Sequence, residues 1–474
     1  MNVQAWMKRC GCCYGRCIVI ADVMGKSRQR EERRKAKCDG RKEESMDGQD
    51  MMNIAARIFP ICRSITGNGV RETLKILQEY CSELKIYEVP CGTQVFDWTI
   101  PDEWNITEGY IENEAGERII DFARNNLHVV GYSLPMDEWM ELEELRKYIH
   151  TLPGQPELIP YVTSYYSPRS GFCMSQEMFD TLPEGRYHAV IKSTMDPQGS
   201  LTYGEILIPG TVEPEKEIFF SSYVCHPSMA NNECSGPSVL VALADYIRSM
   251  PDRRYSYRLI LVPETIGSIT YLSRNLPQMK ERIIAGFNLT CVGDDMQYTI
   301  VHSRYADTLA DRVLTNVLKY RNRGYKECSY LERGSDERQY CFPGVDIPLC
   351  TFSRTKFYDY PAYHTSGDNL SLISPEGLQG AFDVMAECIR ILECNGCYRI
   401  NCLCEPQLGR RGLYPAVSKK GVYDEVRKLQ DFILYADGRN DLIDISNLIE
   451  YPAAMLIDMV QTLMKQGLLD EFAK

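Results

Sequence analysis

No stretch of this 474-residue chain stays apolar for the roughly 18 residues that suggest a membrane-spanning helix, so no membrane span is expected. The short apolar patch from Val19 to Val23 is broken by Asp22 and is followed by no cleavage site, so no signal peptide is read and a cytoplasmic protein is expected. An excess of positive charge is also missing. Lys and Arg number 53 against 65 Asp and Glu, a net charge of −12, which argues against nucleic acid as the main partner. Histidine is scarce: the chain has six, so one at the end of a buried strand stands out. Cysteine is abundant, with 20 residues, but a long chain without an export signal is not read as a disulfide scaffold. Cys225, Cys291, Cys350 and Cys388 lie singly among apolar residues and are read as reduced, buried thiols. Cys10, Cys12, Cys13 and Cys17 are closer together, yet their spacing matches no zinc pattern.

The remaining composition, 44% hydrophobic and 25% charged, is that of a folded soluble chain long enough for two or three cores. Residues 1–47 are basic, lack apolar periodicity and are expected to form a disordered tail. Residues 48–96 and 208–396 alternate helix-like and strand-like segments, the signature of a three-layer α/β domain with a mostly parallel sheet. Between them, residues 97–207 are rich in aromatics and turns and are expected to form an inserted, mainly β lobe overhanging the cleft. Within it Asn105–Glu112, Asn126–Ser133 and Tyr187–Ser193 read as strands, and Leu142–Leu152 as a short helix. Residues 397–474 offer three short helices with room for a two-stranded wing, a winged-helix pattern. Its many acidic residues favour a protein contact or dimerisation over DNA, so a homo-oligomer is left open.

The chemistry gathers on loops after strands. The apolar run Ile218-Phe219-Phe220 leads into Tyr223-Val224-Cys225-His226-Pro227, where proline ends the strand. A helix is expected to follow, with Ser235 as N-cap and Pro237 near its first position. Glu264 ends the strand Tyr257–Val262 and is expected beside His226, where it can act as a general base; helix capping is the plainer role. His364 lies in the loop Asp359–Leu370, while His128, His188 and His302 read as structural. Two histidines on strand-end loops, with acids on neighbouring ends, point to a metal. Asp336 and Glu337 could cap a helix, orient a histidine or meet a substrate amine.

The phrases RSITGNGVRETL, VFDWTIPDEWNI, NLHVVGYS, YVCHPSMANNECSGP, PETIGSI, GSDERQYCFPGVDIPL and YHTSGDN occur in that order. Together they resemble the zinc aminopeptidase superfamily with its phosphorylase/hydrolase-like fold. The chain is most similar to a bacterial aminopeptidase-like branch associated with polysaccharide biosynthesis, over about residues 50–470. The resemblance implies that His226 and His364 are the first and last zinc-binding histidines and that Glu264 is the general base. It puts Asn232 where a metal-bridging Asp normally stands, within Asn231-Asn232-Glu233, and Thr265 and Thr290 where acids are usual. Asn232 and Glu233 therefore complete the expected metal set, with one zinc rather than two. Asp336, Glu337 and Tyr363 are expected to meet substrate. The implied activity is hydrolysis of a peptide or small amide by metal-activated water. A relative acting on a carbohydrate-linked amide, and a non-catalytic binder, are the alternatives.

Overall fold

The computed structural model describes residues 46–321, 324–414 and 423–472; the basic tail and its four grouped cysteines lie outside the described residues. The central sheet has eight strands: β1 (Lys85–Pro90), β2 (Ser200–Ile208), β3 (Glu213–Tyr223), β4 (Tyr255–Val262), β5 (Ile283–Leu289), β6 (Thr299–Val301), β7 (Lys326–Cys328) and β8 (Leu349–Ser353). They are ordered β1-β2-β4-β3-β5-β8-β6-β7. The four middle strands, β4, β3, β5 and β8, run parallel, so their carboxyl ends share one edge. Strands buried on both faces need apolar residues at successive positions, because side chains alternate sides. Phe219 and Phe220 show this. Phe220 stacks on Phe287 at 5.3 Å on one face, while Phe219 meets Tyr340 edge-on at 5.2 Å on the other. The first face is covered by helices Gly48–Ile58, Ser235–Ser249, Leu309–Arg321 and Pro375–Cys394, the second chiefly by Ile266–Arg282.

The expected lobe is built on a four-stranded antiparallel sheet of Arg118–Asp121, Glu103–Asn113, Arg186–Asp196 and Met136–Glu141. The boundary expected at 207 falls inside β2, which pairs with β1 and β4 in the central sheet. An alternating strand gives no sign in sequence of which sheet it joins. Two shorter readings also change. Asn126–His128 is a 3-10 turn capped by Asn125 rather than part of a strand, and Leu142–Leu152 is one helical turn, Leu142–Leu145, a 3-10 turn and then the strand Ile149–His150. Helices Tyr423–Tyr435, Leu442–Leu448 and Ala453–Lys465 pack with a three-stranded sheet of Asp437–Asp441, Cys397–Ile400 and Leu469–Phe472. Arg312 ties this module to the α/β domain through Asp441 and Asp444, at 2.7 and 2.6 Å. No helix among the described residues is long and apolar enough to cross a membrane.

Among the described residues, one ion pair joins the lobe to the domain. Arg71 grips Glu103 with both Nη atoms, and Glu103 also accepts from the Ser200 amide at 2.9 Å. The Arg71 guanidinium is the main reason the Glu103 carboxyl is held down to about 2, against the opposing effect of burial. A carboxyl lowered by folding stabilises the protein above its unfolded pKa, near 4.5, and that contribution fades as pH falls through about 2. Glu103→Gln should cost about 1.5–3 kcal/mol at pH 7. Urea unfolding of parent and variant at pH 7 and pH 3 checks this; a gap that widens in acid contradicts it.

Candidate active site

The four parallel strands deliver the expected residues to one edge. β3 runs into Val224-Cys225-His226, β4 into Pro263-Glu264, β5 into Thr290-Cys291, and β8 into the loop that carries His364. Several of these residues sit at positive φ, a cost that side chains other than glycine meet mainly at functional sites: Ser228 (43°), Thr265 (65°), Cys291 (54°) and His364 (55°). At Thr265, φ 65° and ψ −75° with the Ile266 amide on the Glu264 carbonyl at 2.8 Å make a strained γ-turn. The turn is held because the Thr265 amide donates to Asp336 Oδ1 (2.8 Å) and Arg338 Nη2 donates to Thr265 Oγ1 (2.8 Å).

His226 and His364 come together with ring centroids 5.3 Å apart. Tyr161, from the inserted lobe, packs on both rings, at 5.3 Å from His226 and 5.1 Å from His364. Its own amide donates to the His364 carbonyl at 2.9 Å, and the Ser366 amide donates to the Ile159 carbonyl at 2.9 Å, so the lobe covers the site through main-chain bonds. Tyr363 stacks on His364 at 3.9 Å.

Glu233 meets His226 from the side opposite Glu264. Its Oε2 lies 2.9 Å from Nδ1 of His226, and its Oε1 pairs with Arg63 at 3.4 Å. Nε2 of His226 faces Glu264 Oε2 at 3.7 Å. Burial works against a charge on His226, but the bond to Glu233 and the nearby Glu264 outweigh it and raise its pKa. Burial and the His226 charge push His364 down to about 2, so its ring is neutral. Burial chiefly lifts Glu264 to about 7, with Asp336 adding to the rise and His226 opposing it.

The helix expected to begin at Ser235 begins a turn earlier. Ala230–Cys234 forms a π-helical turn continuous with Ser235–Ser249, because the Asp368 carboxylate takes the amides of Asn231 and Asn232 at 2.6 and 3.0 Å. Ser235 is therefore no N-cap; its hydroxyl bonds back to the Asn231 carbonyl at 2.5 Å. Gly236 allows the close approach of this helix to the sheet, since a Cβ would stand 2.2 Å from Ser222 Oγ.

Four polar atoms in the site are buried without a hydrogen-bond partner: Asn232 Oδ1, His364 Nε2, Asp336 Oδ2 and Glu233 Oε1, the last with the Arg63 charge 3.4 Å away. Unpaired buried acceptors are costly and call for a cation or a donor. The Asn232 Nδ2 donates to the Tyr223 hydroxyl at 2.8 Å, and that hydroxyl also bonds Thr290 Oγ1. Tyr223 thus bridges the two positions where acids were expected and are absent. His226, His364 and Asn232 offer histidine nitrogens and a carbonyl oxygen, donor types that zinc takes. A tighter grouping, with ligand atoms within 4.8 Å of one another, is Cys225, His226 and Glu233. It does not suit a cation, because Arg63 stands against Glu233 and burial drives the Cys225 thiol pKa well up.

Two of the residues expected to meet substrate are enclosed. Glu337 is fully enclosed, with one oxygen on the amides of Gly334 and Ser335 and the other on Thr351 and Asn288, so it braces the loop and has no oxygen left for substrate. Asp336 is also enclosed and accepts from Thr265 and Ser268; its Oδ2 is unpaired. Sequence reasoning missed Arg63, Asp368, Tyr223 and Tyr161. The first two carry a signal only in hindsight, as charged residues inside RSITG and TSGDN. Tyr161 carries none, since aromatics fill the lobe. His128, His188 and His302 are hydrogen-bonded to Cys173, to Glu112 and Asp137, and to Asp311. An open cavity of about 770 Å³ lined by His302, Arg304, Tyr305, Tyr330, Arg333 and Phe342 includes none of the site residues.

A family model described as a domain of unknown function, DUF4910, matches residues 52–395, and one described as a winged helix-turn-helix matches residues 396–471. A Clostridium acetobutylicum protein provisionally named a polysaccharide biosynthesis protein with an aminopeptidase-like domain is 42% identical over 404 residues, 85% of this chain and 92% of its own length. A crystal structure from Clostridium acetobutylicum, of a protein provisionally named a peptidase, superposes with a TM-score of 0.84 at 39% identity, covering 90% of this chain and 96% of that one. A zinc aminopeptidase from Bacillus subtilis shares the fold at a TM-score of 0.54 and 14% identity, covering 74% of this chain and 96% of its own.

Proposed function

Since the chain belongs to the DUF4910 family and has an aminopeptidase-like α/β fold with a C-terminal winged helix, we propose that it is a zinc-dependent hydrolase of peptide or small amide bonds. The observation that supports the reading is that Asn232 Oδ1 and His364 Nε2 are buried without a hydrogen-bond partner or a counter-charge, in the same site as Glu264 and the paired histidines. His226, His364 and Asn232 would hold one zinc, with Glu264 beside His226 as the base. Glu233 is reassigned from metal ligand to positioning residue, because its carboxylate fixes Nδ1 of His226 and leaves Nε2 facing Glu264.

Bound zinc would polarise the scissile carbonyl and make water a better nucleophile at neutral pH. Glu264 takes the proton from the attacking water and returns it to the departing nitrogen; a carboxyl near 7 can do both at physiological pH. Tyr161 and Tyr363 wall the histidines and keep bulk water out. The polysaccharide link in the name of the Clostridium acetobutylicum relative favours, as a second reading, an amide on a sugar such as an acylated amino sugar.

Metal analysis of the purified protein should give about one zinc per chain. His364→Ala should remove most of it, and Asn232→Asp, which supplies a charged oxygen, should tighten it. Glu233→Gln should keep the zinc but weaken it moderately, by about 10–100-fold, as loss of a positioning partner does. Full zinc occupancy in His364→Ala would remove that residue from the site.

A further inference from the structure

We infer that Arg338 is a specificity residue that receives an anionic group of the substrate, so that the amide cleaved carries a carboxylate or phosphate near the scissile bond rather than a free amine. This deepens the hydrolase reading above and rests on it.

An enzyme that reads a substrate ammonium must present acceptors to it, usually carboxylates. The other acids around Glu264 are either hydrogen-bonded or closed off; Asp336 Oδ2 has no hydrogen-bond partner but no exposure either. Glu337 and Asp336 are fully enclosed. Glu233 is 1% exposed and spans His226 and Arg63. Asp368 holds the π-helical turn and takes the Tyr360 hydroxyl at 2.9 Å. The residue after Glu264 is Thr265, whose side chain is already a hydrogen-bond acceptor for Arg338. Glu264 alone remains open, and its task is to move the proton.

The opposite charge is on offer instead. The Arg338 side chain is 39% exposed beside the 21% exposed Glu264. Its Nε donates to the Ser335 carbonyl at 3.0 Å and its Nη2 to Thr265 Oγ1 at 2.8 Å, which fix the plane of the guanidinium. Glu264 Oε1 is 3.9 Å from Nη2, too far for a hydrogen bond. Nη1 makes no hydrogen bond among the described residues. A cation oriented by two bonds, with a free edge open to solvent next to the general base, suits planar recognition of a carboxylate or a phosphoryl group. It would repel an ammonium in the same place.

The bland role for Arg338 is to clamp the strained Thr265 turn. The two roles separate by ligand. Full-length, zinc-loaded Glu264→Gln protein, in which turnover is slowed, is titrated calorimetrically with N-acetyl-L-alanine, with L-alaninamide and with inorganic phosphate. The same titrations are run after adding Arg338→Met or Arg338→Lys, with melting curves to confirm folding. The expected result is that an anionic probe binds, weakens at least tenfold in Arg338→Met, and is partly rescued in Arg338→Lys, while alaninamide binds more weakly and does not change. Tighter binding of phosphate than of acetylalanine assigns a phosphoryl group; the reverse assigns a carboxylate. The inference is overturned if alaninamide binds best, if all three probes lose affinity alike in Arg338→Met, or if neither anionic probe binds. If Arg338→Met fails to melt as a folded protein, the acetylalanine-to-alaninamide ratio in Arg338→Lys decides: a fall supports the inference and an unchanged ratio overturns it. Failure of the hydrolase reading would show elsewhere, as zinc-loaded parent protein that cleaves no amide, and binding to the Glu264→Gln protein does not depend on that.

Discussion

Replacing Glu264 by Gln should lower kcat for amide hydrolysis by about 10²–10⁴-fold while the zinc content and melting temperature stay near those of the parent. The substitution keeps the size of the side chain and an oxygen, but removes the basic site. The Glu264 amide bond to Cys225 Sγ (3.2 Å) and the γ-turn at Thr265 are main-chain features and survive the change. The effect should fall on kcat more than on KM, since proton transfer is felt in the transition state. In the parent, kcat should rise with pH up to about 7, where burial has lifted the carboxyl, because the base must be ionised to accept a proton. That rising limb should vanish in the residual activity of Glu264→Gln. A steady-state pH series on both proteins, with aminoacyl and N-acyl amides as substrates, measures it. Equal rates in the two proteins would take Glu264 out of the chemistry.

The sequence made the strand ends readable because their apolar runs stop at conspicuous residues. Pro227 closes the run before His226, and Pro263 precedes Glu264, so both functional groups could be placed on one sheet edge without coordinates. His364 was legible from its loop of small and aromatic residues. What the sequence hid was direction. Glu233 is next to Asn232 in the chain, yet on a π-helical turn their side chains reach different partners, His226 with Arg63 and Tyr223 with Cys291. An α-helical start at Ser235 was the natural reading, and it is the distant Asp368, which takes two amides at once, that holds the wider π-helical turn in place. The same limit explains Glu337 and β2. A carboxylate in a loop looks available until the amides of Gly334 and Ser335 are seen to use it, and a strand of nine residues at the end of an insertion belongs to whichever sheet has a free edge.

The second large effect is expected at Arg63, the fully buried cation behind the site. Arg63→Met should destabilise the protein by about 3–5 kcal/mol, the usual cost of removing one partner from a buried ion pair. Arg63 serves five partners at once. Its Nε donates to the His226 carbonyl at 3.0 Å, its Nη1 to the Ile58 carbonyl and, at 3.4 Å, to Thr73 Oγ1, its Nη2 to Cys234 Sγ at 3.5 Å, and its charge stands 3.4 Å from Glu233 Oε1. Methionine fills much of the volume but satisfies none of these, so the carbonyls and the Glu233 carboxylate are left buried without a donor or counter-charge. Lysine keeps a charge but cannot reach several acceptors on different elements, and Arg63→Lys should fall between. The double variant Arg63→Met, Glu233→Gln should be more stable than Arg63→Met alone, because removing the carboxylate charge removes the worst of the penalty. Zinc retention should follow a different order. Both Arg63→Met and the double variant should bind it less tightly than the parent, since each loosens the Glu233 bond that orients His226. Urea unfolding and metal titration of the three variants test the two orders independently, and an Arg63→Met protein as stable as the parent would mean that Glu233 finds its counter-charge elsewhere.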